Sequence, residues 1–424
     1  MPFLRAGQDP ETVPLGPVVR FARRTGMWSD SPIYPCEILE IEGPAPPLAT
    51  LQAHVAERLD RVPALSYELD DQRKCWAPVP GFDVRPHIGE QRLAPGADAL
   101  AAALDLPRLP TDRPLWDLTM LHGHDPGTYA LCYRAHMMFQ DGPSVISTLE
   151  ALFGRRRLAH PATVSPRPAA EPVRPVLTAR AWADLWGCLR RATPWSRGLP
   201  SPTGRCAVHS TTLDVPQLLA VAKAHRATLH QVGLASFTGA FRAWAPLGWH
   251  KPTAGGGLTL GMTMSLWSPG RSTGLGSQVG VLPVTLACGR SSPLEHLREA
   301  MDQTSEERIR IHRARARILL RCAPMALAVL LERFTHQRSA AACVTTFRIA
   351  PGLSFGGARV RAVVVVPPRF STFQRLMIST TQYERTVTAV LVADTSLTAS
   401  PRTGLPRLET LWHEALTTLH ALHT

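Results

Sequence analysis

The feature that most constrains the fold is a proline-rich stretch that separates two halves of similar character. The segment LAHPATVSPRPAAEPVRPV, which begins at Leu158, predicts an extended linker. We place an N-terminal lobe at residues 1–155, a linker with a short helix (Ala179–Arg191) at 156–205, and a C-terminal lobe at 206–424. A chain of 424 residues also exceeds the usual size of one core. Two lobes are therefore expected.

Hydrophobic periodicity predicts the elements of each half. In the first half, the predicted strands are Cys36–Ile41, Trp116–His122 and Thr128–His136, and the predicted helices are Leu51–Val62 and Pro143–Phe153. In the second half, the predicted strands are Leu258–Leu266, Gln278–Ala287, Val360–Val366 and Thr386–Ala393, and the predicted helices are Val215–His225, Thr228–Trp244, Leu294–His312 and Leu405–Leu422. This mixture indicates two related α/β (α+β) lobes, although the halves share no sequence repeat.

The formal net charge of +13 suits an anionic partner, such as a phosphate-bearing thioester or an acidic carrier protein. The same charge is also typical of the arginine-, alanine- and proline-rich usage of a GC-rich genome. The arginines are scattered and form no basic stripe interleaved with aromatic residues, which argues against nucleic-acid binding.

Eight cysteines occur without CxxC spacing, and several lie in apolar runs. This pattern predicts buried free thiols in a reducing compartment and no metal site. The N-terminus has no apolar signal segment, and the longest apolar stretch, Ile318–Leu331, is interrupted by Arg321 and Pro324. We expect a soluble cytoplasmic monomer or homodimer without stable membrane insertion.

The segment HMMFQDG (His136–Gly142) places a histidine at the end of a predicted strand and an Asp-Gly pair before a predicted helix. It resembles the HHxxxDG signature of condensation-type acyltransferases, in which the second histidine is the general base. Five further segments, in the same order, resemble the bacterial wax ester synthase/diacylglycerol acyltransferase branch: Asp112–Gly123 (its PLW region), Thr228–Trp244 (its Asn-Asp helix), Leu275–Val284 (its Leu-Gly-Asn segment), Thr345–Gly352 (its Asn-Val-Pro-Gly loop) and Met377–Asp394 (its penultimate strand pair).

The resemblance implies two chloramphenicol-acetyltransferase-like lobes that form a V-shaped pseudodimer around a central channel. It also implies acyl transfer to a small-molecule acceptor from acyl-coenzyme A or an acyl carrier protein, without a cofactor. In the family, the aspartate of the motif is largely structural, and the glycine permits close approach.

This chain departs from the family at the base. Aligning Asp141 and Gly142 with the family's Asp-Gly puts His136 at the first histidine and Met137 at the second, catalytic one. A thioether exchanges no proton at neutral pH, and loss of a general base costs about 10²–10⁴-fold in rate. The family's Asn-Asp pair is also replaced, by His230-Gln231. A histidine is thus lost at one position and another appears where the channel is expected.

Three candidates for catalysis follow from this alignment: His136, His230 and Asp141. Each also has a structural interpretation, with His136 orienting the turn, His230 exposed or capping, and Asp141 paired with an arginine. The candidates for substrate binding are Met137, Gln140, Gly142, Trp116, Ser265, Trp267, Arg271 and Arg348. Trp267 stands where the family has an arginine. The two tryptophans also fit a core, and the two arginines, which could meet a phosphate or carboxylate, also fit a solvated surface.

Three functions remain open at this point. The first is acyl transfer from a thioester to an amine or alcohol in specialised metabolism, by a mechanism without the usual histidine. The second is a repurposed site that catalyses cyclisation, dehydration or rearrangement of one apolar substrate. The third is a non-catalytic partner subunit. Fold alone does not decide among them.

Overall fold

The computed structural model describes residues 11–25, 35–163, 179, 203–244, 257–268, 273–322, 342–368, 375–398 and 402–422. The helices in these ranges are α1 (Pro17–Thr25), α2 (Leu48–Arg58), α3 (Ala99–Leu104), α4 (Gly142–Phe153), α5 (Val215–His225), α6 (Leu229–Ala243), α7 (Pro293–Gln303), α8 (Glu306–Cys322) and α9 (Leu405–Ala421). The strands are β1 (Val13–Pro14), β2 (Cys36–Glu42), β3 (Tyr67–Asp70), β4 (Cys75–Pro78), β5 (Ile88–Arg92), β6 (Trp116–Asp125), β7 (Thr128–Ala135), β8 (Cys206–Leu213), β9 (Leu258–Ser265), β10 (Val279–Leu286), β11 (Ala342–Ile349), β12 (Ser354–Phe355), β13 (Ala358–Val366), β14 (Leu376–Tyr383) and β15 (Thr386–Asp394).

The predicted strands and helices are confirmed to within a few residues, with one exception. The single helix predicted over Leu294–His312 is two helices, α7 and α8. The break falls at Thr304, whose hydroxyl donates to the Ala300 carbonyl (2.6 Å) and accepts from the Gln231 side chain (3.1 Å). Because the contact with Gln231 comes from tertiary packing, helical periodicity alone does not reveal the break.

Two six-stranded sheets form the centres of the two lobes. Their strand orders are β12-β13-β2-β7-β6-β5 and β10-β9-β11-β14-β15-β8, and a small sheet β1-β4-β3 lies beside them. Strand β13 pairs antiparallel with β2, from Val360 opposite Ile41 to Val366 opposite Cys36. The sheets therefore do not follow the division at residue 206, since β12 and β13 from the second half of the chain complete the sheet of the first lobe.

Each lobe has its own apolar core, and a third cluster joins the two sheets. That cluster brings residues of β2 and β7 against residues of β11, β14 and β15: Cys36, Ile38, Cys132, Cys343, Met377, Val390 and Val392. The Ser379 hydroxyl of β14 donates to the Val365 carbonyl of β13. Apolar burial and a direct hydrogen bond thus hold the two sheets together at the point where strands from both lobes meet.

The six cysteines whose side chains the structure describes are free thiols; five are buried, and Cys206 is partly exposed. The linker falls largely outside the described residues, and its predicted helix does so apart from Ala179. Among the helices given above, none combines the length and apolarity needed to cross a bilayer.

Candidate active site

The HMMFQDG segment forms a tight turn between β7 and α4. The His136 amide donates to the Leu115 carbonyl (2.9 Å), and the His136 carbonyl accepts from the amides of Phe139 (2.7 Å) and Gln140 (3.0 Å). Helix α4 begins directly after Asp141, whose side chain caps it. The turn is therefore fixed by its own backbone before any contact with the second lobe.

His136 supports this turn from within. Its Nδ1 atom accepts the Met138 amide (3.1 Å), so the neutral ring carries its proton on Nε2. Burial lowers the pKa of His136 to about 4, because the surroundings disfavour the imidazolium. The ring is therefore neutral at physiological pH, and one of its nitrogens is already used in the turn.

Asp141 is fully buried and accepts four hydrogen bonds. Ser144 donates to Oδ1 from its amide (3.0 Å) and its hydroxyl (2.6 Å). The Trp267 indole (2.9 Å) and the Gln278 amide (2.8 Å) donate to Oδ2. Burial raises the pKa of Asp141, and the four hydrogen bonds oppose that rise. The expected arginine partner is not found among the described residues, because the indole of Trp267 takes that place.

A segment of the second lobe is tied to the turn through Gln140. The Gln140 amide group donates to Thr148 Oγ1 (2.8 Å) and to the Gly274 carbonyl, and its Oε1 accepts from the Tyr133 hydroxyl (2.8 Å). The Gly276 amide donates to the Phe139 carbonyl (2.6 Å). Gly276 has φ +84°, a conformation that favours glycine. Gln140 thus connects the lobes, although it also lies at the edge of the cavity described next.

The turn faces a cavity of about 170 Å³, here called the interlobe cavity. Residues from both lobes line it, among them Glu37, Met137, Gly142, Thr263, Ser265, Thr345, Thr346, Phe347, Val365 and Met377. Met137 is buried at 7% exposure and lines the wall, as its alignment with the missing base predicts. The cavity is large enough for the reacting groups of two small substrates but not for a complete acyl-coenzyme A.

Gly142 packs directly against Phe347, and both residues line this cavity. A Cβ on Gly142 would lie 2.6 Å from the Phe347 ring, so the glycine is required by close packing of the second lobe against the start of α4. Ser265 and Trp267 reach the same region from the end of β9. Arg317 fixes that end by donating to the Trp267 carbonyl (2.9 Å).

Glu37 is the residue that the sequence analysis missed. It is 2% exposed, lines the interlobe cavity, and its Oε2 atom has no hydrogen-bond partner in the described part of the chain. Burial raises the pKa of Glu37 from 4.5 to about 8. The sequence contained a sign of this residue. In the strand CEILEI (Cys36–Ile41), both faces carry apolar residues, so a carboxylate within it requires an explanation.

A second cavity, of about 460 Å³, lies between the second sheet and helices α5, α6 and α9. We call it the second-lobe cavity. Its lining is mainly apolar and includes Leu213, Leu218, Leu229, Leu234, Phe237, Val344, Ile378, Val387 and Trp412. Polar side chains, among them Thr228, His230, Thr346 and Thr380, also line it. Its volume and lining are typical of a site for an apolar ligand.

His230 lies in the first turn of α6 and lines the second-lobe cavity, where it is partly buried. Its Nδ1 atom is 2.7 Å from Thr346 Oγ1, and its Nε2 atom is 3.1 Å from the Met262 sulfur. Thr346 in turn lies 3.0 Å from Thr380 Oγ1. Burial lowers the pKa of His230 to about 4, so the ring is neutral. His230 and Met137 therefore do not face each other in one cavity; they line two cavities that share Thr346 and Phe347.

The remaining candidates are placed as follows. Trp116 is 1% exposed in the core of the first lobe, where it donates to the Leu65 carbonyl (2.8 Å) and stacks on His87 at 4.6 Å; it lines neither cavity. This position contradicts a direct contact between Trp116 and substrate. Arg348 is exposed and lines the second-lobe cavity. Arg271 lies outside the described residues.

Two family models match this chain. The wax ester synthase/diacylglycerol acyltransferase catalytic domain matches residues 30–232. The C-terminal domain of the same family matches residues 275–414. Together the two matches cover most of the chain and include HMMFQDG, His230 and most of the residues that line the two cavities.

Curated relatives are more distant. Two Mycobacterium tuberculosis proteins, provisionally named diacylglycerol O-acyltransferases, are 26% identical to this chain over 224 residues. The match covers 48% of this chain and 48% of each relative, so it spans about half the length of the curated proteins.

Solved structures share the fold. The wax ester synthase/diacylglycerol acyltransferase from Marinobacter aquaeolei VT8 matches with a TM-score of 0.60 at 16% identity, covering 97% of this chain and 100% of that one. Trichothecene 15-O-acetyltransferase from Fusarium sporotrichioides gives 0.68 at 12%, covering 99% and 96%. A mutant starter condensation domain of rhizomide synthetase, in complex with C8-CoA and Leu-SNAC, gives 0.63 at 14%, covering 97% and 94%. The expected two-lobed α/β fold is thereby confirmed.

Proposed function

Because the chain belongs to the wax ester synthase/diacylglycerol acyltransferase family, we propose that it transfers an acyl group from a thioester to an alcohol or amine. The mechanism is non-standard, since Met137 occupies the position of the family's usual base. Transfer to a small acceptor in specialised metabolism suits the limited size of the interlobe cavity, about 170 Å³.

The observation that carries this proposal is the adjacency of the two cavities. The apolar second-lobe cavity holds the acyl chain, and the smaller interlobe cavity, which shares Thr346 and Phe347 with it, holds the thioester carbon and the acceptor. Burial of the chain contributes about 0.8 kcal/mol for each methylene group. The binding energy of the chain thus fixes the reacting carbon beside the HMMFQDG turn.

The donor is an acyl-coenzyme A or an acyl carrier protein. A condensation domain of the same fold was crystallised with C8-CoA, which supports a thioester donor for this chain. Exposed Arg348 beside the second-lobe cavity could contact the phosphates of either donor.

The motif contributes position rather than proton transfer. Asp141 already accepts four hydrogen bonds, and His136 uses Nδ1 to hold the Met138 amide. Alignment of two substrates can supply about 7–11 kcal/mol of the barrier without a base. In this proposal His230 positions Thr346 at the junction of the cavities through their 2.7 Å contact.

The proposal is tested with purified protein, alcohol and amine acceptors, and acyl thioesters of increasing chain length. We expect ester or amide formation that requires the donor. Gly233 lines the second-lobe cavity, and an added Cβ there meets nothing within 4 Å. Gly233→Leu should therefore fill the cavity and shift the preference to shorter chains, whereas the matched control Gly233→Ala should not. Absence of donor-dependent product, or an unchanged chain-length profile in Gly233→Leu, contradicts the proposal.

A second candidate is favoured by Met137 itself, which makes this wall of the cavity apolar. In it, the site catalyses a donor-independent cyclisation, dehydration or rearrangement of one apolar substrate. The same feature also suits a non-catalytic role as a partner subunit. Product that forms without any thioester would favour the rearrangement. Appearance of acyl transfer only in Met137→His would favour the non-catalytic role, because it would mean that the site is intact and lacks only its base.

A further inference from the structure

Glu37 lines the interlobe cavity together with Met137, which occupies the position of the missing base. It is on β2, where its registered neighbours are Tyr133 of β7 and Val365 of β13. Its carboxyl group lines the same cavity as Met137 and Thr346. The side chain is 2% exposed, and its Oε2 atom lacks a hydrogen-bond partner among the described residues.

An unpaired carboxyl group in this position is costly. Burial of a polar group without a hydrogen bond destabilises a fold by about 1–3 kcal/mol, and no described residue donates to Glu37 Oε2 to offset that cost. Asp141 shows the contrast, since each of its oxygens has two donors. A buried, unpaired acid that faces a cavity is therefore a candidate for chemistry.

The described residues that line the interlobe cavity beside Glu37 carry no fixed positive charge. None of the described residues that line the interlobe cavity is lysine, arginine or histidine, and Glu37 is the only acidic residue among them. On β7, Tyr133 donates its hydroxyl to Gln140 (2.8 Å) and Arg134 is paired with Asp117. Neighbouring Cys36 contacts Cys132, and its thiol pKa is raised. Glu37 can therefore accept a proton from a ligand without competition from an adjacent base.

We propose that Glu37 is the general base that replaces the missing histidine and deprotonates the acceptor during acyl transfer. This inference rests on the proposed function. Burial, which raises the pKa of Glu37 to about 8, makes its carboxylate a far stronger base than an exposed glutamate.

The ionised carboxylate of Glu37 takes the proton from the acceptor's hydroxyl or neutral amine, while the acceptor oxygen or nitrogen bonds to the thioester carbonyl carbon. The carbon–sulfur bond then breaks, and its electron pair leaves on sulfur. The proton passes from Glu37 to that thiolate, which restores the carboxylate. No oxidant, reductant or cofactor takes part.

The central experiment compares the wild type with Glu37→Gln, which preserves shape and removes basicity. With an alcohol acceptor, Glu37→Gln should lower kcat by roughly a hundredfold or more with little change in KM. Wild-type kcat should rise with pH to a plateau through an apparent pKa near 8, and this dependence should disappear in the variant. The matched control is Glu40→Gln on the same strand, whose partner is Arg361 (3.0 Å) outside the cavity; its kcat should stay unchanged.

Glu37→Ala with added formate gives a readout that a structural role would not move. Formate should enter the space left by the side chain and restore part of the lost rate. It should not restore the rate of Glu37→Gln, in which the cavity remains filled. Circular dichroism at mildly acidic pH checks that both variants fold.

Two outcomes overturn the inference, and both differ from failure of the proposed function. Glu37→Gln with wild-type kcat and an unchanged pH profile removes Glu37 from the reaction. Loss of rate in Glu37→Ala with no response to formate, in a folded protein, makes the role structural. If the wild type transfers no acyl group from any thioester, the proposed function itself fails, and the assay reveals this before Glu37 is changed.

Discussion

A carboxyl group is buried at each of two walls of the interlobe cavity, but the two groups differ in their hydrogen bonds. On the HMMFQDG wall, Asp141 is surrounded by four donors that fix the start of α4 and join it to the second lobe. On the β2 wall, Glu37 is equally buried, yet its Oε2 atom has no partner in the described ranges. Burial raises the pKa of both groups, but only at Asp141 do hydrogen bonds oppose that rise.

If Glu37 is the base, as proposed, the family motif and the reactive group lie on different segments of the chain. The Asp-Gly pair has a structural role. Asp141 caps α4, and Gly142 lets Phe347 pack against the backbone. In the proposed mechanism, Met137 on that wall supplies no proton chemistry, because a thioether is not a base at neutral pH. A strand of the same lobe, remote in sequence, supplies a titratable group to the same cavity.

The largest effect expected is a pH dependence of stability at Glu37. Its folded pKa is raised from 4.5 to about 8, so the stability contributed by the neutral form is complete below pH 4.5 and is lost as pH rises to about 8. The loss amounts to roughly 5 kcal/mol at most. Urea unfolding across this pH range should show it in the wild type and in Glu40→Gln but not in Glu37→Gln. Identical pH slopes in all three proteins would show that Glu37 is not buried as an unpaired acid.

Asp141→Asn tests the opposite wall. Both oxygens of Asp141 accept hydrogen bonds, so the NH₂ group of asparagine would point at a donor whichever way it turned. The variant should therefore lose about 3 kcal/mol of unfolding free energy. Asp214→Asn is a matched control, because Asp214 caps α5 through the Gln217 amide (3.0 Å) but is exposed, and asparagine caps helices as well as aspartate. Equal stability of the two variants would contradict the structural role assigned to Asp141.

Gly142→Ala tests the packing that brings the walls together. The added methyl group would lie 2.6 Å from the Phe347 ring, and overpacking of this kind costs about 1–3 kcal/mol. Phe347→Leu in the same protein should recover part of the loss. In contrast, Gly233→Ala has space for the methyl group and should be neutral or slightly stabilising. Thermal unfolding of the wild type, Gly142→Ala, Gly142→Ala with Phe347→Leu, and Gly233→Ala measures these effects. A Gly142→Ala variant as stable as the wild type would refute the close approach of Gly142 to Phe347.

The smallest expected effect concerns His230. His230→Ala should lower kcat about tenfold, or ~1.4 kcal/mol, because Thr346 loses the contact that orients it. Thr346→Val should act through the same contact, so the double variant should be no slower than the slower single one. Steady-state kinetics on the three variants decide this. Unchanged turnover in His230→Ala would exclude His230 from the mechanism.

Most helices and strands follow from the sequence, because their signals are local. The period of Val215–His225 and the β-branched run at Val360–Val366 each specify an element whose bounds the structure nearly reproduces. The break at Thr304 and the transfer of β13 to the first sheet do not follow, since both depend on contacts between residues far apart in the chain.

Part of the candidate site was also accessible from sequence. The alignment of HMMFQDG predicted that Met137 would line a cavity and that Trp267 would stand in the place of an arginine. It did not predict that Trp267 would donate to Asp141 (2.9 Å) or that His230 would line a separate cavity, and it left open whether Trp116 belongs to the core, where the structure places it. Each of these depends on side-chain directions that spacing along one chain does not contain.

The sequence by itself determined the family and the two-lobed α/β fold, because motif order and local periodicity are written along the chain. Only the tertiary structure decided which groups share a cavity. Glu37 and Met137 are 100 positions apart in sequence, and they line one cavity because β2 and β7 are adjacent strands. The physical reason is that burial and hydrogen bonding, which separate a structural carboxylate from a reactive one, arise only when distant segments pack together.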